Sequence, residues 1–164
     1  ADINNAIVVI DEAYIEFSNK PSFVYPALMY DNVIITKTFS KALGSAGVRF
    51  GYGIANENII NTINKVKNMY EITGPTLKWI DTVVDNSGYI SLYTMKIKNN
   101  REKLVAKLIE KGYNVIKSDC NWVHTTKLDF DERFITKKCY LPHSEDEWTR
   151  LCVPADEKMI SELI

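Results

Sequence analysis

Two uninterrupted apolar runs near the start, AIVVI at Ala6–Ile10 and VII at Val33–Ile35, constrain the fold more than any other feature. A strand with one face in water alternates apolar and polar residues. An unbroken run instead reads as a strand buried on both faces of a mostly parallel sheet. A third run, VRFGYGIA at Val48–Ala55, carries small residues where backbones approach closely. The first third of the chain therefore alternates strands and turns, as an α/β sheet requires.

The middle changes period. In NENIINTINKVKNMY, Ile59, Ile63, Val66 and Tyr70 fall on one helical stripe. PTLKWIDTVVDN opens with Pro75 at a first helical position. After Gly88 the segment ending LVAKLIEKG reads as one long helix, closed by Gly112 just beyond its last turn. Short strands follow in YNVIKS, NWVHTTKL and WTRLCVP, then a helix in ADEKMISELI. That order describes a small α+β unit. Two domains are expected, 1–90 and 91–164, with the change near the long helix at residues 88–100.

At 164 residues, 46% hydrophobic, 25% charged and with net charge −1, the chain has the composition of an ordinary globular protein, able to bury roughly 70% of its unfolded surface. No basic excess points to nucleic acid, and no apolar run approaches a membrane span. The start, ADINNAIVVIDEAY, has neither an initiating methionine nor a basic segment before a long apolar one. It reads as cut from a longer polypeptide. Cys120, Cys139 and Cys152 are odd in number and widely spaced, which favours a reducing cytoplasm over a disulfide framework or a zinc site. His124 and His143 stand nineteen residues apart with no ligand pattern around them, so no metal is expected. GSAGVRFG lacks the spacing of a dinucleotide fingerprint, and Ser40 lacks the G-x-S-x-G setting of a hydrolase nucleophile.

The chemistry gathers at the strand ends. Asp11 closes the first run and Lys41 follows the second. Ligands of open parallel sheets bind outside the carboxyl ends of the strands, so one crevice can receive both. An aspartate there can hold a cationic ring nitrogen, and a lysine can bind an aldehyde covalently once its amine is deprotonated. Arg49, Thr38, Ser40 and the glycines around them offer a planar donor fork, hydroxyls and open backbone N–H groups, which suit a phosphate dianion. Tyr14 can hydrogen-bond a phenolate-type oxygen. Together they describe a cradle for pyridoxal phosphate.

VVIDEAYIEF followed by TKTFSKALGSAGVRFGYGIA resembles the central signature of fold-type I, class I/II pyridoxal-phosphate-dependent aminotransferases. It is most similar to the histidinol-phosphate aminotransferase branch, without a gap over residues 7–55. The resemblance implies the C-terminal part of that family's large cofactor domain, mostly parallel sheet with helices, followed by a small α+β domain. It implies Lys41 as covalent anchor of pyridoxal 5'-phosphate and as catalytic base. Asp11 would face the ring nitrogen, Tyr14 the ring oxygen, and Thr38, Ser40 and Arg49 the phosphate. RLCVP is similar to the strand whose arginine meets the substrate carboxylate, which nominates Arg150, although Cys152 and Pro154 depart from the usual residues.

The expected activity is transamination of an amino acid or amino-alcohol phosphate with a keto-acid acceptor, in a cytoplasmic homodimer. The chain is expected to cover only the C-terminal half of such an enzyme. A decarboxylase of the same branch, similar to threonine-phosphate decarboxylase, and a non-catalytic truncated domain are the alternatives.

Overall fold

The structure, a computed structural model, describes residues 6–127 and 129–163. The ends of two expected elements, Leu128 and Ile164, lie outside the described residues. The chain divides into two compact units: one holds the residues up to Ile15 together with Lys20–Ile90, the other Glu16–Asn19 together with Ser91 onward.

The first unit contains strands β1 (Val8–Asp11), β2 (Val33–Thr38) and β3 (Gly51–Ala55), with helices α1 (Val24–Ala27), α2 (Glu57–Asn64) and α3 (Gly74–Asp85). β1 and β2 pair in parallel, Val8 opposite Val33 and Asp11 opposite Thr36. β3 runs antiparallel to β2, with Thr38 opposite Gly51. Ala27, Val33 and Ile35 are buried, and Val8, Ile10, Val24 and Ile54 pack against them.

Burial of β1 on both faces is not observed: Val9 is 58% exposed while Val8 and Ile10 join the cluster. The one-turn α1 supplies packing to that single face. β3 is likewise exposed at Gly51, Tyr52 and Gly53. Gly51 is required by proximity, because a Cβ there would lie 2.9 Å from the Lys37 carbonyl oxygen.

Asn56 caps α2 by accepting the Ile59 N–H at 3.0 Å. The helix ends at Asn64, short of the expected stripe, and Val66 and Tyr70 are 83% and 91% exposed. Beyond it the Asn68 N–H donates to the Glu71 carboxylate, a local bond of the kind that competes with helix. Thr73 caps α3, which makes Pro75 its second residue rather than its first.

α4 (Gly88–Glu110) carries the chain from the first unit into the second and is the expected single long helix. Its end is a Schellman turn: Gly112, at φ +82°, donates to Ile109 O, and the Tyr113 N–H donates to Leu108 O. Strands β4 (Val115–Ile116), β5 (Trp122–Thr125), β6 (Thr136–Cys139) and β7 (Trp148–Cys152) form an antiparallel sheet ordered β4-β5-β7-β6, and α5 (Glu157–Ser161) follows. Ile97, Leu104, Val105 and Leu108 of α4 are buried, as are Val123, Leu151 and Ile160. β6 was not among the expected strands. Its sequence, TKKC, has no apolar alternation because it is an edge strand with exposed Lys137 and Lys138, charges that discourage further pairing. Among the described residues no helix is long and apolar enough to cross a membrane.

Candidate functional site

The parallel register of β1 and β2 brings Asp11 beside Thr36, so both strands end at the same edge of the first unit's sheet. An open cavity of about 450 Å³ lies there, lined by Asp11, Thr38, Ser40, Lys41 and Arg49 together with Lys37, Phe50 and Gly51. Five of the residues singled out from sequence thus share one cavity. Tyr14 is not among its lining residues, but the Lys41 Nζ lies 5.2 Å from the centroid of the Tyr14 ring. At that distance a lysine ammonium is attracted to the face of the ring.

Each side chain is set by local backbone. Asp11 is exposed, and its Oδ1 accepts the Ala13 N–H at 3.0 Å and the Thr36 hydroxyl at 3.3 Å, which fixes the carboxylate at the strand end. The Thr38 hydroxyl accepts the Ser40 N–H at 3.0 Å and donates to Phe50 O at 3.4 Å. The loop between β2 and β3 is closed by the Phe39 N–H on Phe50 O and the Ser45 N–H on Phe39 O. Phe39, buried, meets Phe50 edge-on with centroids 4.9 Å apart. The Ser45 hydroxyl donates to Leu43 O and accepts the Trp79 indole N–H at 2.8 Å. Two left-handed residues shape the loop, Gly44 at φ +64° and Arg49 at φ +55°. The second costs an L-residue about 1 kcal/mol. Arg49 commits one donor to Ala46 O at 3.0 Å, out of the five a guanidinium carries.

Sequence reasoning missed the buried ion pair beneath this edge. The Glu12 side chain is 3% exposed and lies 3.4 Å from the Lys37 Nζ. Its two oxygens accept the Ser22 hydroxyl and the Phe23 N–H, each at 2.6 Å. Burial pushes the Glu12 carboxyl up, but the Ser22 hydroxyl, the Phe23 N–H and Lys37 together outweigh it and hold the group below the ordinary carboxylate value. A signal was available: Lys37 is the one charge inside the β2 run, and Glu12 directly follows the end of β1.

Arg150 belongs to the second unit, in the middle of β7, with His124 and Lys137 as its neighbours across the sheet. Its guanidinium carbon is 5.7 Å from the centroid of the Trp122 ring. Burial, and then Arg150, depress the pKa of His124.

The shared cavity has a defined chemical capacity. Asp11 can receive a cationic nitrogen, Lys41 offers an amine, and the Thr38 and Ser40 hydroxyls with the Arg49 fork can hold a dianion.

Known proteins are similar to this chain in sequence and in fold. The chain is 38% identical over 121 residues to a histidinol-phosphate aminotransferase of Christiangramia forsetii, covering 73% of this chain and 35% of that protein. It is 33% identical over 172 residues to a histidinol-phosphate aminotransferase of Brachyspira hyodysenteriae, covering 96% of this chain and 48% of that one. The crystal structure of histidinol-phosphate aminotransferase from Sinorhizobium meliloti in complex with pyridoxal-5'-phosphate has the same fold, with a TM-score of 0.79 at 20% identity over 95% of this chain and 47% of that one. The chain therefore spans half or less of the length of these relatives. The family model for aminotransferase class I and II matches residues 1–164, the whole length of this sequence, and the chain belongs to that family.

Proposed function

We propose that the chain forms the C-terminal half of a pyridoxal-phosphate-dependent aminotransferase acting on an amino acid or amino-alcohol phosphate, in the manner of histidinol-phosphate aminotransferases. The observation that carries this reading is the cavity shared by Asp11 and Lys41, with Thr38, Ser40 and Arg49 on its walls. Its donor set fits the cofactor: a carboxylate for the ring nitrogen, an amine for the aldehyde, and hydroxyls with a guanidinium for the phosphate. When bound, the cofactor supplies an electron sink for the charge left as a substrate α-proton departs.

The protein's own groups do the rest. The Lys41 amine would hold the cofactor's aldehyde carbon and would move the proton at the substrate α-carbon. Asp11, held by the Ala13 N–H and the Thr36 hydroxyl, keeps the ring nitrogen protonated. Tyr14, beside the Lys41 Nζ, serves the ring oxygen and tunes the amine. Thr38, Ser40 and Arg49 seat the phosphate. Arg150 receives the substrate carboxylate.

In this reading residues 1–90 are the end of the large cofactor domain and 91–164 the small domain, and the working form is a cytoplasmic homodimer using an amino donor and a keto-acid acceptor. The three free thiols suit a reducing compartment.

The test is Lys41→Ala in the full-length polypeptide. The visible absorbance that develops on loading with pyridoxal phosphate should be lost, and turnover should fall by about 10³-fold or more. A variant that keeps the wild-type cofactor spectrum refutes the assignment. Product analysis separates the decarboxylase alternative, which releases carbon dioxide instead of a keto acid.

A further inference from the structure

Ser45 sits at the centre of the loop that bears Lys41 and Arg49, and each of its polar groups is engaged. Its N–H donates to Phe39 O at 2.9 Å, and its carbonyl accepts the Val48 N–H at 3.1 Å. Its hydroxyl donates to Leu43 O at 2.9 Å and accepts the Trp79 indole N–H at 2.8 Å. The residue is 3% exposed, so a polar group left unmatched there would be costly.

Ser45 is also the joint of the loop. It precedes the 3-10 turn Ala46–Val48, and Arg49, in its left-handed conformation, closes that turn. A serine at the head of a helical turn ordinarily uses its hydroxyl on the turn's own N–H groups, but this one makes no such bond. It reaches back to Leu43 instead, two residues after Lys41, while the Gly44 N–H donates to Lys41 O at 3.0 Å. Ser45 therefore joins the half of the loop carrying Lys41 to the half carrying Arg49.

The Trp79 indole ties this joint to α3, an element outside the loop and within the same unit. α3 buries no side chain, and Trp79 is itself 48% exposed. The ring is placed by its hydrogen bond more than by core packing. An indole N–H can only donate. Delivered to the Ser45 oxygen, it leaves the hydroxyl proton to Leu43 O, and two such bonds in series strengthen one another.

We infer that Trp79, acting through Ser45, is a positioning residue for Lys41 and Arg49: its hydrogen bond fixes the joint between the two halves of the loop, and so the backbone from which both side chains reach the cavity wall. This inference rests on the proposed roles of those two residues, but its first readout needs no cofactor.

Trp79→Phe keeps an aromatic ring on α3 and removes the donor. In the full chain, amide hydrogen exchange at Gly44, Ser45 and Val48 should rise about two- to tenfold, the range of one neutral hydrogen bond, while Ile35 in β2 stays protected. Inorganic phosphate, titrated by calorimetry, should bind more weakly by about the same factor. Ser45→Ala should weaken it too, and the double variant should be no weaker than Ser45→Ala alone. A bond that served only to hold α3 would loosen the α3 amides and leave the loop and the phosphate affinity as in wild type. That result, or additive losses in the double variant, overturns the inference. Should Trp79→Phe fail to fold, wild type decides: by reciprocity, phosphate should slow exchange of the Trp79 indole N–H and leave that of Trp148 unchanged, and an unaffected Trp79 overturns the inference. Absence of phosphate binding and of any cofactor spectrum in wild type would instead strike at the proposed function, and the loop amides of Trp79→Phe would still decide the inference.

Discussion

Replacing Glu12 by glutamine tests the energetic claim on which the site's geometry depends. The carboxylate is buried, accepts two 2.6 Å hydrogen bonds and faces Lys37 at 3.4 Å. Glutamine has the same shape but turns one acceptor into a donor, which then confronts the Ser22 hydroxyl, the Phe23 N–H or the Lys37 ammonium. Breaking a buried pair by removing one partner costs about 3–5 kcal/mol. The Lys37 side chain is 13% exposed and regains some hydration, so the lower figure, about 3 kcal/mol, is expected. For a chain of this size that is a fall of about 6–12 °C in the melting temperature. The effect must also depend on pH. Because the folded-state pKa of Glu12 lies below its ordinary value of 4.5, the unfolded state binds the proton more readily. The stabilisation is therefore complete above that value and is lost as the pH falls through the folded one. Glutamine does not titrate. Urea unfolding of both proteins at neutral pH, and again in steps from about pH 5 to pH 3, should show the gap between them closing on acidification. A gap that is absent at neutral pH, or one that persists unchanged in acid, would refute the reasoning.

Three glycines discriminate among the backbone arguments. Gly51→Ala should cost about 1–3 kcal/mol, because its Cβ meets the Lys37 carbonyl oxygen at 2.9 Å, and should weaken inorganic phosphate binding measured by calorimetry; unchanged stability would remove the close-approach argument. Gly47→Ala, whose Cβ meets nothing within 4 Å, should stay within about 0.5 kcal/mol of wild type in the same unfolding assay. Gly112→Ala should destabilise by about 1 kcal/mol, since φ there is +82°, and a wild-type melting curve would contradict the Schellman assignment.

What could be read in advance follows the range of the interactions involved. Asp11 and Lys41 were legible because strand ends and glycine-lined turns are local features, and the parallel pairing then brings two such features together. The end of α4 was legible for the same reason, as a glycine beyond the last turn. Val9 was not: an apolar run shows that a strand can be buried on both faces, whereas its 58% exposure depends on what packs against the sheet. The stripe through Val66 and Tyr70 failed similarly, since helical periodicity is realised only where tertiary packing repays it. β6 escaped notice because an edge strand needs no apolar alternation. The Glu12–Lys37 pair joins residues 25 positions apart and appears only once the register is known. The excursion of Glu16–Asn19 is a tertiary fact with no local signature beyond a single phenylalanine.

The candidate site is built from two loops that are secured by different means. The loop after β2, which follows Thr38 and bears Ser40, Lys41 and Arg49, is closed on itself by the Phe39–Phe50 and Ser45–Phe39 backbone bonds and by Trp79 on Ser45. It carries a left-handed arginine, and strain of this kind persists only where the surroundings enforce it. The end of β1 and the turn after it, which bear Asp11 and Tyr14, are secured instead by buried charge, the Glu12 carboxylate on the Phe23 N–H and the Lys37 ammonium. Lys41 and Tyr14 meet where the two come together. A rigid, backbone-closed loop suits the grip on a phosphate, whose geometry does not change during reaction. The Lys41 amine faces an aromatic ring of the other segment, that of Tyr14. In the proposed function, the grip on the anion and the setting of the amine therefore rest on separate supports.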